Sequence, residues 1–447
     1  MKHIKRFINI IFVTLLANFV LLAKTLSIFS VVNIIGFYTL TLMLFVLLNV
    51  FPRYKTSKPI RQGIMLDGYE LVLLSAFTFT INTILNIYVG ICFVPEKISW
   101  VTFIINCILC IISGAILIIN GLIRIYTTSV QLGIKWRLMF AFLCWFPIVN
   151  IVLLWKLCRI VRDEYDFETQ KLENNYVRKE NELCKTKYPL LLIHGVFFRD
   201  RVYFNYWGRI PGELIRNGAV IYYGNHQSAA TVENSAIELK SRITQIIEET
   251  GCEKLNIIAH SKGGLDARTA ISCYGMDQYV ASLTTINTPH RGCGYADYLL
   301  QKAPKCILNF ITKSYNSALK KLGDKNPDFF GAVNSLTEKS CSAINKKAID
   351  KDNVYYQSFT SIMNRWSSAK FPLNITYLLI RHFNKQNDGL VSVESAKWGS
   401  RFNIITTDSK RGISHADVID LYRENINQFD VREFYVDIVK DLKERNL

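Results

Sequence analysis

The chain has 447 residues, which is enough for two or three domains, and it carries a formal net charge of +17. Its composition is divided: residues 1–160 contain 14 Lys and Arg and 3 Asp and Glu, whereas residues 161–447 contain 39 and 33. In the first part the charges interrupt apolar runs and do not cover a folded face. This pattern argues against a nucleic-acid partner and favours a membrane bilayer.

The amino-terminal part contains four or five apolar runs long enough to cross the roughly 30 Å hydrocarbon core of a bilayer as helices of about 20 residues. The charged start of the chain resembles a signal peptide, but no small-residue cleavage site follows, so we expect the first run to be retained. Residues 1–159 are therefore predicted to form an all-α transmembrane domain. The runs cover residues 7–27, 29–51, 70–94, 100–123 and 138–156.

The basic residues in the short segments around these runs predict an orientation. The amino end, the second-to-third loop and the fourth-to-fifth loop together hold ten Lys and Arg, whereas the alternate loops hold only Lys24 and Lys97. With five spans and the amino end inside, everything after residue 160 lies outside the cytoplasm. The fifth run is short and contains Pro147. If that run is re-entrant, the carboxyl-terminal part is cytoplasmic instead.

Residues 160–186 alternate acidic and basic side chains and contain no Gly or Pro. A solvated helix has this pattern, so a charged helical stalk is predicted between the membrane part and the next domain. The remaining residues, 187–447, are long enough to form one large domain.

The cysteines do not form a metal-binding pattern. Cys107 and Cys110 lie inside an apolar run, and no histidine or further cysteine follows at the spacing of zinc ligands. Six cysteines lie beyond residue 160, an even number that would permit disulfides outside the cell, although sequence alone leaves their pairing open. They are Cys184, Cys252, Cys273, Cys293, Cys306 and Cys341.

From residue 187 onward, strand patterns alternate with helical ones. This alternation indicates an α/β fold with a doubly wound, mostly parallel sheet, whose site lies at the carboxyl ends of the strands. The predicted strands are a run that begins at Tyr188 and residues 218–224, 255–259, 280–286, 375–380 and 402–406; the helices between them include 232–249 and 262–274.

The segment 254–268 has the pattern of a nucleophile elbow. An apolar strand ends at Ala259, Ser261 follows between small residues, and a helix begins directly after it. The usual motif is Gly-x-Ser-x-Gly; Ala259 replaces its first glycine, while Gly263 and Gly264 allow the helix to pack closely. The tight turn would project Ser261 from the carboxyl edge of the sheet.

An ester hydrolase that uses serine needs a base, a carboxylate that orients the base, and donors for the developing oxyanion. In this fold the chain order is serine, acid, histidine. Asp388 lies in an Asn-Asp-Gly turn after the predicted strand 375–380, and His415 lies in a loop after the predicted strand 402–406. His415 is preferred as the base over His290, which is expected to line the cleft, because only His415 follows the acid.

Residues from about 187 to 447 resemble the bacterial true lipases, which are serine α/β-hydrolases acting on acylglycerols. The resemblance implies that Ser261 is the nucleophile, Asp388 the acid and His415 the base, with the backbone N–H groups of Val196 and Lys262 as oxyanion donors. The matching motifs are Tyr-Pro-x-x-x-x-His-Gly-Val at 188–196, Tyr-Trp-Gly-Arg-Ile-Pro at 206–211, Lys-x-Asn-x-Ile-x-His-Ser-x-Gly-Gly-Leu-x-x-Arg at 254–268, Thr-Pro-His-Arg-Gly at 288–292, Asn-Asp-Gly-Leu-Val at 387–391, and His415.

The chain departs from that family at two places. Position 262 is more often uncharged in relatives, and the Lys262 side chain is expected to favour an anionic head group. Many relatives bind a structural calcium through two aspartates, and Asp417 matches one of them. The other is expected within 360–386, which contains no Asp or Glu. We therefore expect no cofactor, with Asp417 as a weak calcium candidate.

An insertion between Gly294 and Asn345 contains an amphipathic piece from Tyr298 to Ile311. Two interpretations stay open: helices that pack on the core, or a lid whose apolar face opens onto lipid.

Two functions from different classes follow. The first is a membrane-anchored lipase or carboxylesterase that cleaves acyl esters through an acyl-serine; an acyltransferase or phospholipase would use the same triad. The second is a membrane transporter or scaffold that carries an inactive hydrolase-like domain. Charged residues are rare in the apolar runs, which disfavours a transport path.

Overall fold

The computed structural model describes residues 2–26, 31–52, 59–196, 205–302, 304–321 and 323–447. The chain divides into two compact units, Met1–Leu172 and Glu173–Leu447. The boundary between them falls inside the segment 160–186 for which a stalk is predicted.

The amino-terminal unit is helical. Its described helices are α1 (Lys2–Ala17), α2 (Phe19–Leu26), α3 (Val31–Asn49), α4 (Ile60–Phe93), α5 (Trp100–Thr128), α6 (Gly133–Leu143) and α7 (Pro147–Val177), the last of which continues beyond the unit boundary. Among the described residues, α4 and α5 are long and apolar enough to cross a membrane, and Gly36–Asn49 is a shorter apolar helix. Two such helices are weak evidence for a membrane protein.

The predicted apolar runs fall on these helices with two interruptions. The first run covers both α1 and α2, which are separated at Asn18. The fifth run covers the end of α6, a break at 144–146, and the start of α7. Proline has no N–H to donate and is tolerated in the first turn, so Pro147 begins a helix here and does not continue one.

Close packing and polar side chains join α1, α4 and α5. A Cβ added at Gly68 of α4 would lie 2.9 Å from the Gly121 carbonyl oxygen of α5, so the two backbones touch because both residues are small. Asn106 of α5 donates to Asn18 at 3.0 Å, and Asn18 donates to Asn82 of α4 at 2.7 Å. All three asparagines are buried. These hydrogen bonds hold the junction between α1 and α2 against α4 and α5.

The carboxyl-terminal unit is built on a six-stranded sheet in the order β2-β1-β3-β4-β5-β6, and every neighbouring pair is parallel. The predicted fold class, an α/β-hydrolase with a doubly wound parallel sheet, is confirmed. The strands are β1 (Leu190–Ile193), β2 (Ile221–Tyr223), β3 (Leu255–His260), β4 (Val280–Ile286), β5 (Tyr355–Ser361) and β6 (Arg401–Ile405).

Helices surround this sheet. They are α8 (Ile210–Arg216), α9 (Val232–Thr250), α10 (Lys262–Cys273), α11 (Gly294–Lys302), α12 (Lys305–Lys321), α13 (Phe329–Asn334), α14 (Glu338–Lys347), α15 (Leu373–Phe383), α16 (Val393–Ala396) and α17 (Val431–Glu444).

The two faces of the sheet bury separate cores. Successive β1 side chains alternate between them, because side chains of a strand point to opposite faces. Leu190 and Leu192 pack with residues of α8 and α17, whereas Leu191 and Ile193 pack with residues of α9 and α10. All four leucine and isoleucine side chains are fully buried. Helices on both faces explain why the strand sequence is continuously apolar.

The predicted strand at 375–380 is wrong, because this segment is the helix α15. Its buried residues Leu373, Tyr377 and Ile380 are spaced four and three apart, which is a helical period. The strand β5 was not predicted. All eleven cysteines lie in the described part of the chain and are free, including the six beyond residue 160 whose even number would permit disulfides.

Candidate active site

Ser261 occupies a strained turn between β3 and α10. Its backbone angles are φ 55° and ψ −131°, outside the regions that non-glycine residues prefer. The Ser261 N–H donates to the Ile286 carbonyl at the end of β4, 2.9 Å away. A Cβ at Gly263 would collide with the His194 carbonyl, and one at Gly264 would collide with the Thr288 side chain. The two glycines therefore permit the elbow predicted from the sequence.

Asp388 and His415 are held together by two hydrogen bonds. His415 Nδ1 donates to Asp388 Oδ2 at 2.6 Å, and the His415 backbone N–H donates to the Asp388 carbonyl at 2.9 Å. The other carboxylate oxygen of Asp388 accepts the N–H groups of Leu390 and Val391 at 2.8 and 2.7 Å. Asp388 is fully buried. The carboxylate can therefore orient the imidazole and stabilise its protonated form.

The acid and the histidine lie beside the serine. The rings of His415 and His260 are 4.5 Å apart, and His260 immediately precedes Ser261. Asp388 reaches this edge because Met363, just after β5, donates its N–H to the Asn387 carbonyl at 2.9 Å. The structure thus brings the loops after β3, β5 and β6 together at the carboxyl edge of the sheet. The catalytic roles of the three residues stay a prediction.

The turn after β1 lies against the serine. A Cβ at Gly195 would come within 2.9 Å of the Ser261 Cβ. Val196 directly follows Gly195, and Lys262 directly follows Ser261 as the first residue of α10, where backbone N–H groups have no partner within the helix. Both predicted oxyanion donors therefore belong to segments that adjoin Ser261.

Tyr206 connects the turn after β1 to the elbow at Ser261 by hydrogen bonds. Its hydroxyl accepts the Gly195 N–H at 3.0 Å and lies 2.6 Å from His260 Nδ1. Tyr206 is buried and stands in the Tyr-Trp motif that carries part of the resemblance, but no role for its hydroxyl is predicted from the sequence. The Tyr206 hydroxyl thus joins the strand-end residue before the serine to the predicted oxyanion turn.

The side chain of Lys262 does not face an open cleft. Its ammonium donates to both carboxylate oxygens of Asp266 at 2.7 and 2.9 Å and to Ser235 Oγ at 2.9 Å, and Lys262 and Asp266 are both buried. The expectation that this ammonium meets an anionic head group is wrong. Burial raises the pKa of Asp266 to about 7, although Lys262 acts to lower it.

His290 is also buried and does not line a cleft, contrary to expectation. Its ring nitrogens lie 3.0 Å from Thr285 Oγ1 and 3.2 Å from Arg268 Nη1, and its ring stacks on Trp398 at 5.2 Å. Burial, with the Arg268 charge, lowers the pKa of His290 well below its ordinary value. These contacts are structural, which favours His415 as the base on geometric grounds.

The surroundings of Asp417 do not fit a calcium ion. Arg411 donates to its two carboxylate oxygens at 2.8 and 3.1 Å, and Ser414 donates to it through both its N–H and its hydroxyl at 2.8 and 2.7 Å. Calcium needs six to eight oxygen ligands, and a guanidinium at this position repels a cation. Within the described residues no three His, Cys, Asp or Glu are grouped so as to hold a metal.

Comparisons with known proteins show similarity to lipases. A triacylglycerol lipase of Pseudarthrobacter phenanthrenivorans is 30% identical over 173 residues, covering 36% of this chain and 54% of that protein. A triacylglycerol lipase of Pseudomonas fragi is 26% identical over 299 residues, covering 60% of this chain and 100% of that protein. The chain thus spans about half the length of the first of these two relatives.

The mature lipase BlEst2 of Bacillus licheniformis, a solved structure, matches with a TM-score of 0.41 and 19% identity over 53% of this chain and 88% of that one. A scan against protein-family models finds no match. The sequence similarity and the parallel sheet together support a lipase-like or esterase-like hydrolase.

Proposed function

We propose that the protein is a membrane-anchored serine ester hydrolase that cleaves acyl esters of lipids through an acyl-serine intermediate. The observation that carries this proposal is the hydrogen-bonded pair of His415 and Asp388 beside the strained turn of Ser261. Similarity to triacylglycerol lipases supports an ester of a fatty acid as the substrate class.

In the first half-reaction, Ser261 Oγ attacks the acyl carbonyl while His415 Nε2 takes the hydroxyl proton. The negative charge that develops on the carbonyl oxygen is stabilised by the backbone N–H groups of Val196 and Lys262. His415 then gives its proton to the leaving alcohol, and the acyl group stays on the serine oxygen. Asp388 stabilises the imidazolium between these two proton transfers.

In the second half-reaction, a water molecule replaces the alcohol. His415 takes a proton from the water, the resulting oxygen attacks the acyl carbonyl, and the proton returns to Ser261 as the fatty acid leaves. Another alcohol in place of water would make the same residues an acyltransferase, and a phospholipid as the acyl donor would make the reaction that of a phospholipase.

The amino-terminal unit supplies the proposed membrane anchor. Its helices α4 and α5 meet the length and composition of a membrane span, and Gly36–Asn49 is a shorter apolar helix. Some charged residues of this unit form ion pairs: Arg6 lies 2.7 Å from Glu70, and Arg124 pairs with Asp67. Such pairs lower the cost of charge near a bilayer.

We propose a multi-pass topology with the hydrolase outside the cytoplasm, from the basic residues of the loops. A fusion of alkaline phosphatase after residue 185 should be active, and a fusion of green fluorescent protein at the same place should be dark. The reverse pair of results would favour a re-entrant segment where the chain breaks before Pro147.

The insertion after Gly294 supports a lid. The predicted amphipathic piece falls on α11 and α12, and its residues Tyr298 and Phe310 are 44% and 73% exposed. Exposed aromatic side chains favour a lid over helices packed on the core. The side chain of Ile307 lies outside the described residues.

Covalent labelling tests the proposal. A fluorophosphonate reacts with an activated serine hydroxyl and stays on its oxygen, so peptide mass spectrometry should find the label on Ser261 in the full chain. Labelling should be lost in Ser261→Ala and kept in Ser272→Ala, which alters a serine on α10 away from the turn. A well-folded protein that takes no label at Ser261 would favour an inactive hydrolase-like domain.

A further inference from the structure

Two segments of the hydrolase unit contain no carboxylate. Residues 298–323 hold five lysines and residues 360–386 hold two lysines and two arginines, with no Asp or Glu in either. Residues 161–447 as a whole have 39 basic and 33 acidic residues, so the rest of this part of the chain is slightly acidic. The basic excess of the unit is therefore concentrated in these two segments.

The second segment also exposes large apolar side chains. Ile375 and Leu378, three residues apart on one side of α15, are 58% and 52% exposed, and Phe371, two residues before the helix, is 74% exposed. Trp366, before the helix, is 54% exposed, and Phe383, at its end, is 53% exposed. The opposite side of α15 packs inward through Leu373, Tyr377 and Ile380. The helix thus has an apolar outer face that nothing in the described chain covers.

Cations border this outer face. Arg381 and Lys385 are exposed at the carboxyl end of α15, and Lys370 is exposed before its start. Lys370 pairs with Glu424 at 2.6 Å. Arg381 lies 5.9 Å from the ring of Tyr377. The arrangement is a row of apolar and aromatic side chains between basic ones.

The first segment continues the same surface. The rings of Tyr298 on α11 and Phe383 on α15 are 6.1 Å apart, so the two helices adjoin. On α12, Phe310 is exposed among lysines, and Lys313 and Lys320 are exposed too. Asp388 follows the end of α15 by five residues. This surface therefore borders the segment that carries the proposed catalytic acid.

We propose that the segment 365–385, with α15 at its centre, is a docking surface for an anionic phospholipid bilayer. Exposed Trp, Phe, Ile and Leu enter the interface between headgroups and acyl chains, and flanking Lys and Arg are attracted by anionic headgroups. A nucleic acid or an acidic protein would pair with the cations but would leave the apolar side chains in water. A bilayer pairs with the cations through its headgroups and takes the apolar side chains out of water.

This docking surface adds a way to control the access of substrate to the proposed hydrolase. That consequence rests on the proposed function. Docking through α15 sets the Asp388 and His415 loops against the membrane, so the charge of the lipid surface controls access to ester substrates in that bilayer. Each basic residue near an anionic surface contributes about 1 kcal/mol of attraction. Neutralising two of them should therefore lower the docking equilibrium constant roughly 30-fold.

The test uses the full chain reconstituted in vesicles of phosphatidylcholine, with and without phosphatidylglycerol. Brominated acyl chains quench the fluorescence of tryptophan in the interface, and the difference between the protein and Trp366→Phe isolates the Trp366 signal. Trp366 should be quenched in vesicles that contain phosphatidylglycerol and much less in phosphatidylcholine alone.

Three variants complete the design. Arg381→Gln/Lys385→Gln should lose the dependence on phosphatidylglycerol, and Ile375→Ser/Leu378→Ser should reduce quenching in every vesicle. The control Ile237→Ser/Lys240→Gln alters an exposed apolar residue and an exposed lysine on α9, and it should behave as the unaltered protein does. All three should turn over a short soluble ester at the unaltered rate.

The outcomes separate the two proposals. Equal Trp366 quenching with and without phosphatidylglycerol, or quenching unchanged in both α15 variants, would overturn the docking surface. Self-association that buries Trp366 without brominated-lipid quenching would overturn it too, in favour of a second copy of the chain. Docking without turnover of a lipid ester or of the short soluble ester would support the docking surface and contradict the proposed hydrolase function.

Discussion

Asp388 binds His415 twice, through the side chain at 2.6 Å and through the backbone at 2.9 Å. The first hydrogen bond sets which ring nitrogen carries the proton, and the second fixes the loop on which the ring stands. The pair is therefore preorganised, and substrate binding does not need to assemble it.

We predict that Asp388→Asn lowers kcat on the order of 10⁴-fold with little change in KM. The amide can still accept the Leu390 and Val391 N–H groups, so the turn keeps its shape, but the imidazole loses the carboxylate that stabilises its charge. Steady-state kinetics on a soluble ester measure the effect. A loss below tenfold would show that another carboxylate orients His415.

We predict that activity does not depend on calcium, because Arg411 pairs with Asp417, the candidate calcium ligand. Its guanidinium holds Asp417, and Asp417 holds Ser414, the residue before His415. A chelator should leave turnover unchanged, whereas Arg411→Gln should lower kcat because the histidine loop loses its anchor. Inactivation by chelator that calcium reverses would contradict this account. Arg401→Gln, which also removes a partly exposed arginine from an ion pair, is the matched control.

We predict that Lys262→Met and Asp266→Asn, which each remove one charge of the buried ion pair, lower the stability by unequal amounts. In Lys262→Met, Asp266 is left buried, but its pKa is already raised to about 7, so it can take a proton near neutral pH. In Asp266→Asn, a buried ammonium is left without its counter-charge, which costs roughly 3–5 kcal/mol.

The midpoint of thermal unfolding at pH 7.5 should therefore fall further in Asp266→Asn than in Lys262→Met. Lys262→Met should also keep its kcat, because the oxyanion donor at this position is a backbone group. An equal or reversed order of the two midpoints would show that the ammonium finds another partner.

Buried histidines predict a loss of stability in acid. Burial lowers the pKa values of His260 and His290 well below 6.5, so the unfolded chain binds protons that the native chain does not. Below about pH 6.5 each such histidine makes the free energy of unfolding fall by up to about 1.4 kcal/mol per pH unit. The contribution is constant above that pH.

His290→Gln should therefore flatten the acid side of the stability profile and leave the pH dependence of kcat unchanged, since His290 does not touch the serine. Unfolding midpoints from pH 5 to 8 and the kinetic profile measure the two effects. A shifted kinetic profile would place His290 in the reaction.

The elbow could be predicted because its parts are local. An apolar strand, Ser261, and glycines at 263 and 264 leave few other ways to connect β3 to α10. The order of acid and histidine then pointed to Asp388 and His415, which the structure brings together. The sequence does not show which side chains are buried, so it does not reveal that the Lys262 ammonium pairs with Asp266, one helical turn away, and does not meet a head group.

The errors in secondary structure have a physical reason. The sequence pattern does not predict the strand β5 because this strand is polar: Gln357, Ser358 and Thr360 are buried in it, Gln357 donates to Thr284 Oγ1, and Ser358 Oγ accepts the Trp398 N–H. The sequence pattern predicts a strand where α15 lies because a short apolar run has the same pattern in a buried strand and in a buried helix. Tertiary contacts distinguish them, and sequence patterns do not contain these contacts.

The variant Ser261→Ala tests the proposed role of Ser261 as the nucleophile. The methyl group fits the elbow, so the variant should unfold at the same temperature as the unaltered protein. Its turnover of a p-nitrophenyl ester should fall on the order of 10⁴-fold, leaving what the oxyanion donors and binding supply. Comparable turnover by the folded variant would contradict the account.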